Sequence, residues 1–208
     1  MAEIKALYAI VDASGPNPVD MAKKILAGGC RIIQLRGKDV SASEFLQAAS
    51  GISHECSGCG ALFIVNDRAD IALASGAGGL HLGQDDMPLS DARKILGKEK
   101  VIGISTHNIE EAILARKGGA DYIGFGPIFK TETKKDAQSP KGLEALIAIR
   151  KNVPLPIVAI GGLKKQNIEE VFKAGADAVA MISELSLSDD VSAKTGGIVE
   201  LTRTCYER

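Results

Sequence analysis

The chain has almost no excess of charge of either sign. Its 25 Lys and Arg stand against 26 Asp and Glu, a net charge of −1. That balance excludes a broad electrostatic grip on nucleic acid or on an anionic membrane, so any anion site must be local. No apolar run reaches the ~18 residues of a membrane span. The opening stretch MAEIKALYAIVD lacks a basic lead, a long apolar core and a cleavage site. No signal peptide is therefore expected, and the expected location is cytoplasmic.

Cysteine is also scarce, with Cys30, Cys56, Cys59 and Cys205 the four in the chain. Cys56-Ser57-Gly58-Cys59, with His54 just before it, has the spacing of a redox pair or a metal clip. A structural zinc site needs four ligands, however, and no second Cys or His pair stands at finger spacing. Reduced thiols at a helix terminus are the expectation. Hydrolytic signatures are missing too: there is no Ser–His–Asp set, no G-x-S-x-G elbow and no H-E-x-x-H helix.

What the chain does have is alternation. Strand candidates are Ala6–Val11, Arg31–Leu35, Leu62–Val65, Gly79–Leu82, Val101–Ile104, Tyr122–Phe125, Ile157–Ile160 and Ala178–Ile182. They are short and read as buried on both faces, as parallel strands do. Helical patterns lie between and after them, at Val19–Ala27, Ala42–Glu55, Ile71–Ser75, Leu89–Leu96, Ile109–Lys117, Leu143–Arg150, Gln166–Ala174 and Ser192–Arg203. Ser41 with Glu44, and Asn108 before Ile109, supply caps. Eight strands alternating with eight helices predict a single α/β domain over residues 1–208, a (β/α)8 TIM barrel. An open doubly wound sheet is the rival.

An internal echo supports the count. Gly29, Gly76, Gly119 and Gly175 each end a helical pattern and precede the second, fourth, sixth and eighth strands. Each interval then holds two βα units.

Barrel sites form where strands end, and here nearly every strand end is polar. The second strand carries Gln34, Arg36 and Lys38 at alternate positions, so all three can point to one side. The third ends in Asn66-Asp67-Arg68, the fourth in Gln84-Asp85-Asp86 and the fifth in Ser105-Thr106-His107. After the sixth come Thr131, Thr133 and Lys134. Asp67 and one of Asp85 or Asp86 could share a hard divalent ion. Arg36, Lys38 and Lys134 could neutralise a diphosphate. Gly161-Gly162 and Ile182-Ser183 follow the seventh and eighth strands, the usual phosphate seat of this fold. Two phosphorylated small-molecule ligands are implied. His81 lies inside a strand and reads as a satisfied core histidine, while His107 could be a ligand contact. With charge-neutralising groups and no evident nucleophile, the set suits departure of a diphosphate.

These motifs, QLRGK at 34–38, VNDR at 65–68, HLGQDD at 81–86, STH at 105–107, GFGPIFKTETK at 124–134 and AIGG at 159–162, closely resemble the thiamine phosphate synthase family. The match runs in order from about Tyr8 to Ser183. The resemblance implies a TIM-barrel transferase of thiamine biosynthesis that joins hydroxymethylpyrimidine diphosphate to hydroxyethylthiazole phosphate, or its carboxylated form. It puts Gln34, Arg36, Lys38, Asn66, Ser105 and Lys134 on the pyrimidine diphosphate. It makes Asp67 and Asp86 ligands of Mg2+, and Thr131, Thr133, Gly162, Ile182 and Ser183 the holders of the thiazole phosphate. Arg36, Lys38 and Lys134 would be the catalytic groups of a dissociative reaction, steadying the leaving diphosphate. Gly37 departs from the family's usual Glu, and lies out of phase with the inward set.

A thiazole tautomerase on the same barrel is the nearest rival. It usually has a histidine where this chain has Pro127, and lacks the second acid, here Asp86. A catalytically silent phosphate-ligand sensor is a rival of another class. The loop from Pro127 to Pro140 is expected to be a lid that orders over bound ligands. A homo-oligomer is left open.

Overall fold

Eight strands close on one another in chain order in the computed structural model, which describes residues 4–131 and 139–206. They are β1 (Ala6–Asp12), β2 (Ile32–Arg36), β3 (Leu62–Asn66), β4 (Gly79–Leu82), β5 (Val101–Thr106), β6 (Tyr122–Phe125), β7 (Ile157–Ile160) and β8 (Ala178–Met181). Every neighbouring pair is parallel, and β8 returns to β1 with Ala178 beside Ala6, so no sheet edge remains. This is the (β/α)8 barrel expected, and the open-sheet alternative falls. Around it lie α1 (Pro18–Ala27), α2 (Ala42–Cys59), α3 (Ala69–Ala74), α4 (Leu89–Leu96), α5 (Ile109–Gly118), α6 (Gly142–Asn152), α7 (Ile168–Lys173), α8 (Ser183–Ser186) and α9 (Val191–Tyr206). Among the described residues, no helix is long and apolar enough to cross a membrane.

Strand pleating divides the apolar residues into two cores. Residues such as Leu7, Ala9, Ile33, Leu35 and Val65 face outward and meet the helices in the larger one. Tyr8, Ile10, Ile32, Ile64, Val101, Tyr122, Val158, Ala178 and Ala180 fill the barrel interior. The second set fixes which residues follow it inward, two positions further along each strand.

The helix starts are held as their caps predict. Ser41 Oγ accepts from Glu44 N at 3.3 Å while Glu44 Oε2 accepts from Ser41 N at 3.2 Å, a reciprocal box at the head of α2. Asn108 Oδ1 accepts from Glu111 N at 2.8 Å at the head of α5. α2 runs a turn beyond its expected end, because its stop is Gly60 at φ +68° and not the small residues Ser57 and Gly58. The segment expected as one helix from Gln166 begins instead as a 3-10 turn, Lys165–Asn167. α8, a single turn, was not expected. All four echo glycines have positive φ, from +69° at Gly76 to +106° at Gly175, which is why glycine recurs there.

After two of these glycines the same staple recurs. Asp121 Oδ2 accepts from Arg93 Nη2 at 2.7 Å and from the β5 amide of Ile102 at 2.7 Å. Asp177 Oδ2 accepts from Arg150 Nη1 at 2.9 Å and from the β7 amide of Ile157 at 2.8 Å. Both lie at the amino ends of the strands, away from the polar ends.

Candidate functional site at the carboxyl ends of the strands

A cavity of about 1100 Å³ opens at the carboxyl ends of the strands. The inward phase of β2 brings Gln34 and then Arg36 into it, with Lys38 at its exposed rim. Asn66, Asp67, Asp86 and Ser105 line it from β3, β4 and β5 and the loops that follow them. Thr131, Gly162, Ile182 and Ser183 line it from the other side. Eleven residues separately picked from strand ends thus share one cavity, as the barrel arrangement requires. Thr133, Lys134 and the middle half of the expected lid, residues 132–138, lie outside the described residues.

Local backbone explains how the acids are aimed. Asp67 sits at φ +63°, a left-handed conformation uncommon outside glycine but best tolerated by Asp and Asn. Its amide donates to the His81 carbonyl at 2.8 Å, tying the turn to β4. Asp86 folds back over its own loop, Oδ2 accepting from the Gly83 amide at 2.6 Å. A Cβ on Gly83 would stand 3.0 Å from that oxygen, so glycine there leaves room for the turn. Asp85 is exposed and Asp86 half-buried. Of the two acids, it is Asp86 that hydrogen-bonds Asp67.

Burial pushes the Asp67 carboxyl up to about 7, helped by its hydrogen bond to Asp86 and by the charge there; Arg36 and Lys38 oppose the rise. Two carboxyls that share a proton in this way form a hard-oxygen donor pair suited to a divalent cation. Among the described residues no group of three or more His, Cys, Asp or Glu could hold a metal, so such an ion would take its other ligands from substrate or water.

On the opposite wall, β6 and β7 are locked together beyond Pro127, whose peptide bond from Gly126 is cis. Ile128 N donates to Ile160 O at 2.9 Å and Phe129 N to Gly161 O at 3.0 Å, so pairing resumes after the proline. A Cβ on Gly162 would lie 2.5 Å from the Lys130 carbonyl, and φ there is +64°. The close approach of these two backbones requires glycine.

Tyr8 and Tyr122 were missed by sequence reasoning. Gln34 Nε2 donates to the Tyr8 hydroxyl at 2.8 Å, and the Tyr8 and Tyr122 hydroxyls are 2.8 Å apart. Tyr122 Oη lies 2.9 Å from His81 Nδ1, and His81 Nε2 is 2.9 Å from Ser105 Oγ. His81 is satisfied as expected, but it also lines the cavity. A Cβ on Gly103 would fall 2.0 Å from the Tyr122 ring, so glycine in β5 makes the space for it. The signal available was the inward phase of both tyrosines: a hydroxyl inside a barrel needs a partner. His107 lines the cavity with Nδ1 3.0 Å from Glu111 Oε2. Gly37 faces Ala13, whose Cβ would be 2.8 Å from an added one, and does not line the cavity.

Fold and cavity together define a (β/α)8-barrel protein with its polar site at the strand carboxyl ends. Comparison with known proteins narrows the class. The profile of the family described as thiamine monophosphate synthase matches residues 7–185. A thiamine-phosphate synthase of Methanosarcina barkeri is 49% identical over 198 residues, covering 94% of this chain and 90% of that protein. One from Chlorobium phaeobacteroides is 45% identical, covering 95% and 96%. The solved thiamine phosphate pyrophosphorylase of Pyrococcus furiosus superposes with a TM-score of 0.89 at 38% identity, covering 96% of each chain. The chain belongs to the thiamine monophosphate synthase family.

Proposed function

We propose that the chain is a thiamine-phosphate synthase, a transferase that joins hydroxymethylpyrimidine diphosphate to hydroxyethylthiazole phosphate, or its carboxylated form, and releases diphosphate. The observation that carries this reading is the single cavity that gathers the acid pair, Arg36 and Lys38 on one side and Gly162, Ile182 and Ser183 on the other. Sequence kinship with synthases over nearly the whole chain supports it, and favours neither the tautomerase nor the silent sensor.

In this reading Gln34, Asn66 and Ser105 hold the pyrimidine end, and Arg36 and Lys38 bind the diphosphate. Lys134 joins them from the loop. Asp67 and Asp86 hold Mg2+, which when bound supplies positive charge to the diphosphate oxygens. Arg36, Lys38 and Lys134 steady the charge that builds on the leaving oxygen, where fixed groups count for most. Thr131, Thr133, Gly162, Ile182 and Ser183 seat the thiazole phosphate so that the ring nitrogen faces the exocyclic carbon of the pyrimidine. The nitrogen attacks with its own lone pair, so no protein base is needed. The 4-amino group feeds electron density into the ring and stabilises the benzylic-type cation, while the site walls keep water from capturing it. A cytoplasmic location belongs to the same reading.

The test is to incubate the protein with both substrates, with and without Mg2+, and to follow thiamine phosphate. Formation that needs both substrates and the metal is expected. No product from either thiazole phosphate would sink the assignment.

A further inference from the structure

The short helix α8 stands between two cavities. On one side is the cavity at the strand ends; on the other, a second of about 650 Å³ lies among α7, α8 and α9. Among the described residues, Glu184 is the one that lines both. It follows Ser183 directly at the head of α8, and its side chain is 19% exposed. Lys194 reaches across from α9 and puts Nζ 2.6 Å from Glu184 Oε1. Lys194 lines the outer cavity and not the inner one.

The pair has two consequences that can be told apart. It ties α8 to α9, and α8 otherwise has a single buried apolar anchor, Leu185, at 1% exposed. It also places a compensated anion beside the inner cavity. A phosphate ester carries about −1.5 to −2 charge near pH 7. Held on Ile182 and Ser183, it would have Glu184 as the next residue along, where consecutive Cα atoms are only ~3.8 Å apart. An uncompensated carboxylate there would repel it across a wall that water screens poorly. Lys130 and Lys164 also line the inner cavity, but both are exposed, so water and salt weaken them.

We propose that Lys194 is a positioning residue of the phosphate seat: it holds the Glu184 carboxylate toward the outer cavity and cancels its charge, so that the seat accepts a phosphate ester. The inference rests on the synthase reading above, which puts Ile182 and Ser183 on the thiazole phosphate, and deepens it. Lys194 acts through Glu184 and touches no substrate.

Charge masking and a mechanical tie make different demands. If the tie mattered, losing either partner would harm the site equally, and losing both would be no better. With masking, losing Lys194 leaves a bare anion beside the seat, whereas losing the anion removes the need for Lys194.

The experiment first establishes that the wild type makes thiamine phosphate. Steady-state kinetics then gives KM for hydroxyethylthiazole phosphate, with Mg2+ and saturating pyrimidine diphosphate, at about pH 7.5, where the ester is almost fully ionised. Lys194→Met should raise that KM about tenfold, the scale of one like-charge repulsion in a partly buried wall. Its kcat and its KM for the pyrimidine diphosphate should stay within about threefold of wild type. Glu184→Gln should leave the thiazole phosphate KM within about threefold of wild type or lower it. The double variant should return to that range, and Lys194→Arg should never leave it. Equal losses in the two single variants overturn the proposal, as does a double variant as weak as Lys194→Met. So does a Lys194→Met KM within about threefold of wild type. Should Lys194→Met fail to fold, Glu184→Gln carries the test alone: a KM raised more than about threefold overturns masking, and one unchanged or lowered supports it. A wild type that makes no thiamine phosphate sinks the synthase reading instead, and that outcome is seen separately.

Discussion

Asp67 and Asp86 meet across the mouth of the barrel, close enough for one carboxyl to hydrogen-bond the other. They come from loops after different strands, and each is aimed by a backbone feature: the left-handed φ of Asp67 and the Gly83 amide that holds Asp86. Asp85, one residue away, is exposed. Asp86→Asn and Asp67→Asn should each cost well over tenfold in turnover, because one anionic ligand of a hard cation is lost. Asp85→Asn should be mild. Steady-state kinetics over a range of Mg2+ concentrations checks the order, and equal losses at Asp85 and Asp86 would break the assignment.

A pH dependence follows from the same pair. The folded-state carboxyl of Asp67 is raised to about 7, far above the ordinary ~3.8 it has when unfolded. Its proton therefore stabilises the metal-free fold fully below about pH 4, and that contribution fades as pH rises through about 7. Mg2+ needs the ionised form, so binding must expel the proton. The rise in melting temperature on adding Mg2+ should be small near pH 5.5 and full near pH 8. Melting scans with and without the metal test this; a shift independent of pH would show that Asp67 is not a ligand.

Much of this site was legible because pleating is strictly periodic. Once Ile32 and Ile64 are placed inside the barrel, Gln34, Arg36 and Asn66 must follow them inward. The choice between Asp85 and Asp86 was not legible from phase, since both lie past the strand. It depends on which carboxylate reaches the Gly83 amide. The Tyr8–Tyr122 contact joins residues 114 apart in sequence, through barrel closure, and no local pattern pairs them. The end of α2 was misjudged because Ser57 and Gly58 weaken a helix without stopping it, whereas Gly60 turns left-handed and does.

The cysteines give a separate check on where function lies. Burial pushes the Cys30 thiol up to about 11 and the Cys56 thiol up to about 12, so neither supplies thiolate near neutral pH. Cys59 is exposed, and none of the four cysteines is in a disulfide. A thiol reagent near pH 7.5 should modify Cys59 quickly and reach Cys30 and Cys56 only on unfolding. Neither Cys56 nor Cys59 lines the cavity, so the double Ser variant should keep near-normal activity. Peptide mapping of the labelled protein and an assay of the variant decide both points.

The opposite end of the barrel should govern stability and leave the chemistry alone. Asp177 accepts from Arg150 at 2.9 Å and from the Ile157 amide at 2.8 Å, while Arg150 also donates to the Leu155 carbonyl at 2.8 Å. One carboxylate thereby joins the end of α6, the start of β7 and the turn into β8. Asp121 does the same for α4, β5 and β6 through Arg93. Removing either carboxylate strips a guanidinium of its anionic partner, leaving it only backbone carbonyls, and leaves a strand amide unsatisfied, at a cost of ~1–3 kcal/mol. Gly175 adds a steric constraint, for a Cβ there would lie 2.6 Å from Arg150 Cγ and φ is +106°. Asp177→Ala and Asp121→Ala should therefore lower the melting temperature by ~2–4 °C for each kcal/mol lost. Gly175→Ala should be destabilising as well, through strain rather than a lost bond. None of these residues lines the cavity, so kcat and KM measured well below the transition should stay near wild type. Calorimetric melting paired with kinetics separates the two effects. A variant with unchanged melting and lost turnover would mean that the staple positions the site as well as the scaffold.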